Sequence, residues 1–481
     1  MVDEVLRSPY IKLPLLPNLE ALALRYPETL DAYGRPSFSE TTLANIAFAR
    51  LFLSDRVTEL SVYNIPPRSS LDKAGSYRLS SLTDDIINCA PKVKSLTLTS
   101  DESPNELETR RFDHILATLF VGLRNLEQVR LCTSFFSSRA MHALSLSPRL
   151  AVVSAVGLVL DAWGQGSLIT LCPSADAYYG RATPDNAWPQ LTQYTAVTGA
   201  KQLSTMLQEQ TFPSRRITSL VALLTASFAH AKDHSLNHVQ HPTKANCHGE
   251  TEIFIPNSSV LLLLRTISLN CYSLAKLYLD FNVPFPLEDD NRCDGRPFDA
   301  HDLIVLKDMQ NLEELTIRDH RSLCICDNAL LSIIGGLSRL TTLYLFHIPY
   351  WTPKVHLDEE ASDAFMSYSP PRTPSTIQTI SKILGVLPVL THLGIYVDFS
   401  IMSPEDMHFD SHGAHKSLLE ILDLGHSPPP PPSTPAGFLD IFLDENNAVE
   451  YGGGGLYDWG SLRNEMFRHI QNEQEAWEDF I

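Results

Sequence analysis

The sequence predicts an α/β fold in which short strands alternate with helices. The units stack into a right-handed superhelical solenoid with a parallel β-sheet on its concave face. Three observations predict it. Apolar residues recur at steps of three and then two, a spacing that is neither a helical stripe nor a plain strand alternation. Segments with apolar residues at steps of three and four precede most of these copies, as amphipathic helices require. The chain has 481 residues, 44% of them hydrophobic, which suffices for about three domains or one elongated array.

The copies run in order along the chain. "NLEALALR" gives Leu19, Leu22 and Leu24; "RVTELSVY" gives Val57, Leu60 and Val62; "KVKSLTLT" gives Val93, Leu96 and Leu98. "NLEQVRLC" gives Leu126, Val129 and Leu131, and weaker copies start at Leu150 and Leu191. "SLAKLYLD" gives Leu274, Leu277 and Leu279; "NLEELTIR" gives Leu312, Leu315 and Ile317; "RLTTLYLF" gives Leu340, Leu343 and Leu345. "VLTHLGIY" (Leu390, Leu393, Ile395) and "LLEILDLG" (Leu419, Leu422, Leu424) close the series. The helical segments cover 39–55, 79–91, 106–123, 138–146, 300–309, 328–337 and 375–387, with Ser39, Asp299, Asp327 and Ser375 as N-cap candidates. The spacing has a physical cause. The first leucine fills the core as the chain leaves a turn; the strand then starts, and its inward residues fall two apart. One such unit cannot cover its own apolar face, but stacked neighbours can.

This L-x-x-L-x-L series resembles leucine-rich-repeat proteins of the ribonuclease-inhibitor-like kind over roughly residues 13–426. The anchors step irregularly, from 24 residues (126 to 150) to 83 (191 to 274), against about 20–29 in regular repeats. The resemblance implies an Asn or Cys three residues past the last strand leucine, and only Asn282 fits. The interval 199–273 is the least regular, with "RITSLVALL" (216–224) as a degenerate strand. Insertions are expected near 228–258 and 349–374, longer than most connections in compact domains. Residues 427–457 read as a Pro/Gly-rich linker, opening on five consecutive prolines that favour a stiff extended segment. Residues 458–481 read as a C-terminal helix with Asp458 as N-cap and Trp459, Leu462, Met466 and Ile470 on one face, a candidate cap for the open end of the stack.

Charge and motifs narrow the function. The net charge is −19, from 37 basic and 56 acidic residues, so nucleic acid is not the expected partner. The N-terminus does not read as a signal peptide, and the longest apolar run, 150–160, is too short to span a bilayer. Eight cysteines in a chain this long suggest reduced thiols in the cytoplasm or nucleus. No phosphate-binding loop, dinucleotide fingerprint or nucleophile elbow occurs, so no enzyme activity and no cofactor are expected. His230, His234 and His238 lie four apart, and on a helix neutral imidazoles so placed could hold zinc. Their segment is polar and loop-like, which favours a solvated loop without metal. Zinc analysis of the purified protein separates the two. The proline run could dock an SH3 or WW domain, or serve as a spacer.

The spacing also names a surface. Strand residues flanking the inner leucines point away from the core, onto the concave face. In the N-terminal half they are small and polar. In the C-terminal half aromatic and charged residues gather: Lys276, Tyr278 and Asp280; Arg318; Tyr344 and Phe346; His392 and Tyr396, with Tyr350 and Trp351 on the following rim. Tyr and Arg are the residues that binding hot spots use, because rigid side chains bury much area at low entropic cost. The expected function is therefore non-catalytic binding of a protein partner. The mixed helix lengths look like fungal F-box proteins with leucine-rich repeats. That resemblance implies a substrate receptor of a ubiquitin ligase, bound through a Skp adaptor and cullin. The chain departs from that pattern: "LPLLPNLEALAL" opens Leu-Pro like an F-box but continues as a repeat, and no three-helix F-box precedes it. The alternatives are a general scaffold unrelated to ubiquitin and a metal-dependent protein using the His230–His248 loop.

Overall fold

The computed structural model describes residues 14–25, 49–63, 73–99, 106–132, 135–156, 187–225, 257–281, 298–319, 323–347, 377–395, 397, 418–424, 448–450 and 456–458. The backbone divides into two compact units: Met1–Leu160 with Gln165–Thr225, and Asp161–Gly164 with Ala226–Ile481.

In the first unit seven strands lie side by side in chain order, each parallel to the next. They are β1 (Ala21–Arg25), β2 (Glu59–Tyr63), β3 (Ser95–Leu98), β4 (Gln128–Cys132), β5 (Val152–Val156), β6 (Gln193–Gly199) and β7 (Ser219–Thr225). Helices α1 (Lys73–Cys89), α2 (Glu106–Gly122), α3 (Ser138–Ser145) and α4 (Ala200–Gln208) connect successive strands. Neighbouring helices touch, α1 on α2 and α2 on α3, as parallel crossovers demand. Leu60, Leu96, Val129 and Val153 fall in one register line, all almost fully buried. Leu19, Leu22 and Leu24 of the first copy are only half-buried, and Leu15 and Leu16 before them are exposed.

The second unit repeats the plan. Its elements are α5 (Asn257–Asn270), β8 (Lys276–Asp280), β9 (Phe298–Asp299), α6 (Ala300–Leu303), β10 (Glu314–Asp319), β11 (Leu323–Cys324), α7 (Asp327–Ile334), β12 (Thr342–His347), α8 (Ile377–Val386), β13 (His392–Ile395), β14 (Ile421–Asp423), β15 (Ala448–Glu450) and β16 (Leu456–Asp458). The order β8-β10-β12-β13-β14-β15 is parallel throughout, and β16 closes it in antiparallel sense. β9 and β11 form a separate parallel pair. Leu277, Leu315, Leu343, Leu393 and Leu422 form the core line of this sheet, all buried.

A backbone ladder fixes this register. The carbonyl after each anchor leucine accepts two N–H groups from the next copy. Glu20 O takes Thr58 and Glu59, Thr58 O takes Lys94 and Ser95, and Lys94 O takes Glu127 and Gln128. In the second unit Ala275 O takes Glu313 and Glu314, Glu313 O takes Thr341 and Thr342, and Thr341 O takes Thr391 and His392. Threonine hydroxyls reinforce the same carbonyls: Thr218 donates to Thr192 O (3.2 Å) and Thr341 to Glu313 O (3.0 Å). Just before the anchors, side chains tie turn to turn. Asn125 donates to Pro91 O (3.0 Å), Asn311 to Tyr272 O (2.8 Å) and Arg216 to Trp188 O (3.0 Å).

Several expectations shift in detail. The irregular interval 199–273 contains α4, β7 and α5, and Ile217, Leu220 and Ala222 form a further buried copy. Alanine in the third position obscured that copy in the sequence. Asp327 opens α7 but does not cap it; Cys326 is the cap residue. The Asp327 carboxylate instead accepts from Thr379 (2.7 Å) and Lys382 (2.8 Å), both on α8, tying the two helices together. Residues 448–450 and 456–458, read as linker and cap onset, are strands, and Asp458 ends β16. The rest of the linker and of the C-terminal segment, with Trp459, Leu462, Met466 and Ile470, lies outside the described residues, as do 226–256 and 348–376, which hold nearly all of both insertions.

Leu343 is flanked in register by Leu315 and Leu393 and fully buried. Leu343→Ala is expected to cost about 3 kcal/mol through lost transfer energy and the cavity left behind. Urea unfolding checks this; a loss below about 1 kcal/mol would contradict the core placement.

Candidate functional site

Alternation along each strand turns one residue set toward the helices and the other onto the open face of the sheet. β8 shows it in its burial: Leu277 and Leu279 are buried, Lys276 is exposed and Tyr278 half-buried. Parallel pairing sets the open-face residues of the second unit in rows. The first row is Lys276, Glu314, Thr342, His392 and Ile421; the second is Tyr278, Thr316, Tyr344, Gly394 and Asp423. The third is Asp280, Arg318 and Phe346. Adjacent members stand about 4.8 Å apart along a row, so residues far apart in sequence become neighbours.

The rows differ in character. In the first, Lys276 and Glu314 form a half-exposed ion pair. In the third, Arg318 and Asp280 are buried, 7% and 9% exposed, against the expectation of charges edging an aromatic surface. The Arg318 guanidinium lies 3.5 Å from the Asp280 carboxylate and donates to the Tyr278 hydroxyl at 2.9 Å. That hydroxyl in turn donates to the same carboxylate oxygen at 3.2 Å. Burial first, and the Asp280 charge second, push the Tyr278 phenol well above its ordinary pKa, so it keeps the proton it donates. The three side chains form a closed polar brace across β8 and β10. Register explains it: Asp280 and Arg318 are direct partners on adjacent strands.

Tyr344 has a different setting. Its register partners are Thr316 on one side and Gly394 on the other, so neither neighbour is large enough to cover its ring, and it is half-exposed. His392 stands two residues before Gly394 on the same face, also half-exposed, with Nδ1 2.8 Å from the Thr391 hydroxyl. Asp423, fully buried beside Gly394, belongs to the same row. Sequence reasoning did not include it, although it is the sixth residue of "LLEILDLG", four past the anchor Leu419. Phe346 holds the register position opposite Arg318. Tyr350, Trp351 and Tyr396 lie outside the described residues, as do His230, His234 and His238. Among the described residues no cluster of three or more His, Cys, Asp or Glu could hold a metal ion. Among them, too, no helix is long and apolar enough to cross a membrane. The open-face residues of the first unit are smaller, with Ala23, Ser61, Thr97, Arg130 and Ser154 in one row.

Comparison with protein-family models gives no match, and comparison with curated proteins gives none either.

Arg318→Ala would remove the guanidinium paired with the buried Asp280 carboxylate, and is expected to destabilise the chain by about 3–5 kcal/mol. Lys276→Ala removes only a half-exposed pair and is expected to cost less than about 1 kcal/mol. Denaturant titration of both variants checks the contrast, and equal losses would contradict the brace.

Proposed function

We propose that the chain is a non-catalytic interaction module of the leucine-rich-repeat kind. It receives a protein partner on the open sheet face of its second unit. The observation that carries this reading is Tyr344. An aromatic ring rises from a sheet between a threonine and a glycine, where packing neighbours of ordinary size would have covered it. A ring so placed offers large apolar area and a polar tip at low entropic cost, the properties of a binding anchor. The internally neutralised brace of Tyr278, Asp280 and Arg318 supports the same reading as a rigid floor, since residues locked by their own hydrogen bonds lose little freedom on binding.

The finer form of the proposal is the substrate-receptor role in a ubiquitin ligase, with a Skp adaptor and cullin as assembly partners. It rests on resemblance of the repeat pattern alone. Affinity purification with mass spectrometry tests both levels, comparing wild type with Tyr344→Ala. The variant is expected to fold, with an unchanged urea midpoint, and to lose its main partner by tenfold or more, as truncated hot spots do. An unchanged partner set would move the binding surface elsewhere. Recovery of the adaptor and cullin with the wild-type chain supports the ligase role; partners without them leave a scaffold.

A further inference from the structure

We infer that the open face of the first unit holds a carboxylate-recognition point at Arg130, which receives a Glu or Asp side chain from a linear segment of a protein partner. Arg130 lies on β4, and its register partners are Thr97 on one side and Ser154 on the other. Both are short, and Arg130 stays exposed. Ala23 and Ser61 continue the row with small side chains that also reach solvent. Gln128, two residues earlier on the same face, holds one edge of the guanidinium. With its amide oxygen turned toward Arg130, it accepts Nε–H at 2.8 Å and Nη2–H at 2.9 Å. The opposite amide orientation would set donors against donors.

A guanidinium carries five N–H donors in a rigid fork and no acceptor. Gln128 takes the Nε/Nη2 edge, which leaves two parallel N–H groups on the Nη1/Nη2 edge. That edge matches the two oxygens of one carboxylate. No acid of the unit fills it. Among the described residues the ion pairs of the first unit are Arg50–Asp85, Lys92–Asp55 and Lys94–Glu127. Glu59, on the same open face, stands two strands away on β2. Charge selects carboxylate over phosphate. A phosphorylated side chain brings about −1.5 to −2 charges and is matched by clusters of arginine. The row of Arg130 holds one cation, in a chain of net charge −19. A guanidinium already held at one edge loses little freedom when the other is engaged. Arg130 belongs to the first unit, so its contact and the Tyr344 surface stand or fall separately.

A displayed library of random linear peptides, selected on the full chain, supplies the probe. Peptides retained by wild type but not by Arg130→Gln are expected to share a Glu or Asp at one fixed position. Fluorescence anisotropy then measures the best of them. Arg130→Gln in the chain, or Gln in place of that acid in the peptide, should weaken binding about tenfold, the loss expected of a charge-assisted fork. The two changes together should cost little more than either alone, because they remove the same contact. Arg130→Lys keeps the charge without the fork and should recover only part of the loss. Tyr344→Ala should leave this binding unchanged, and Arg130→Gln should leave the urea midpoint unchanged. The inference is overturned if no Arg130-dependent peptide is selected, if those selected share no acid, or if the paired losses add. Tighter binding when phosphoserine replaces the acid overturns it as well.

Discussion

The carbonyl after each anchor leucine governs the rest of the molecule. It sits where the chain leaves a turn, and it takes two N–H groups from the following copy. Because each copy repeats the arrangement, each strand starts level with the one before it. Leucines then meet leucines on the inner face, and every outward side chain acquires a neighbour at the same height. A slip of one residue would turn the whole apolar set outward. The ladder uses backbone groups, so it tolerates Glu, Lys, Ala or Thr at the position that supplies the carbonyl. Nothing in it requires copies of equal length, so connections between strands can differ widely without disturbing the register.

The open face of the second unit shows what level strands make possible. Asp280 and Arg318 meet because they are register partners, and Tyr278 closes the set from two residues earlier. Burying one of these charges alone would be costly, and together they neutralise each other. Their contacts tie β8 to β10. Tyr344 and His392 remain half-exposed on the same face, beside a glycine. Small and large side chains thus alternate along a row, and the relief of the face follows from which residue types fall in register.

Much of this was legible in the sequence, for a physical reason. Apolar spacing of three and then two reports both the turn and the strand, so the strand positions and the inward leucines followed from it. The outward positions followed by alternation, which placed Tyr278, Tyr344 and His392 on one face. Burial did not follow. Arg318 and Asp280 look like surface charges in a linear reading because their pairing depends on two strands 38 residues apart lying level. The copy at Ile217 was blurred because Ala222 stands where a leucine was expected. The cap of α7 was misplaced by one residue because Asp327 serves the neighbouring helix. The tether from Thr391 to His392 depends on hydroxyl geometry that no spacing rule encodes. The short strands β15 and β16 carry too few residues to show a period.

The parallel, in-register pairing of the second unit is tested most directly by engineered cross-links. Glu314 and Thr342 are partners on β10 and β12, with Cα atoms about 4.8 Å apart, inside the range a disulfide spans. The double variant Glu314→Cys/Thr342→Cys should oxidise to a single intrachain cross-link identified by peptide mapping. The shifted pair Glu314→Cys/Tyr344→Cys should form it far more slowly. Efficient cross-linking of the shifted pair, with none between 314 and 342, would contradict the register on which the open face depends.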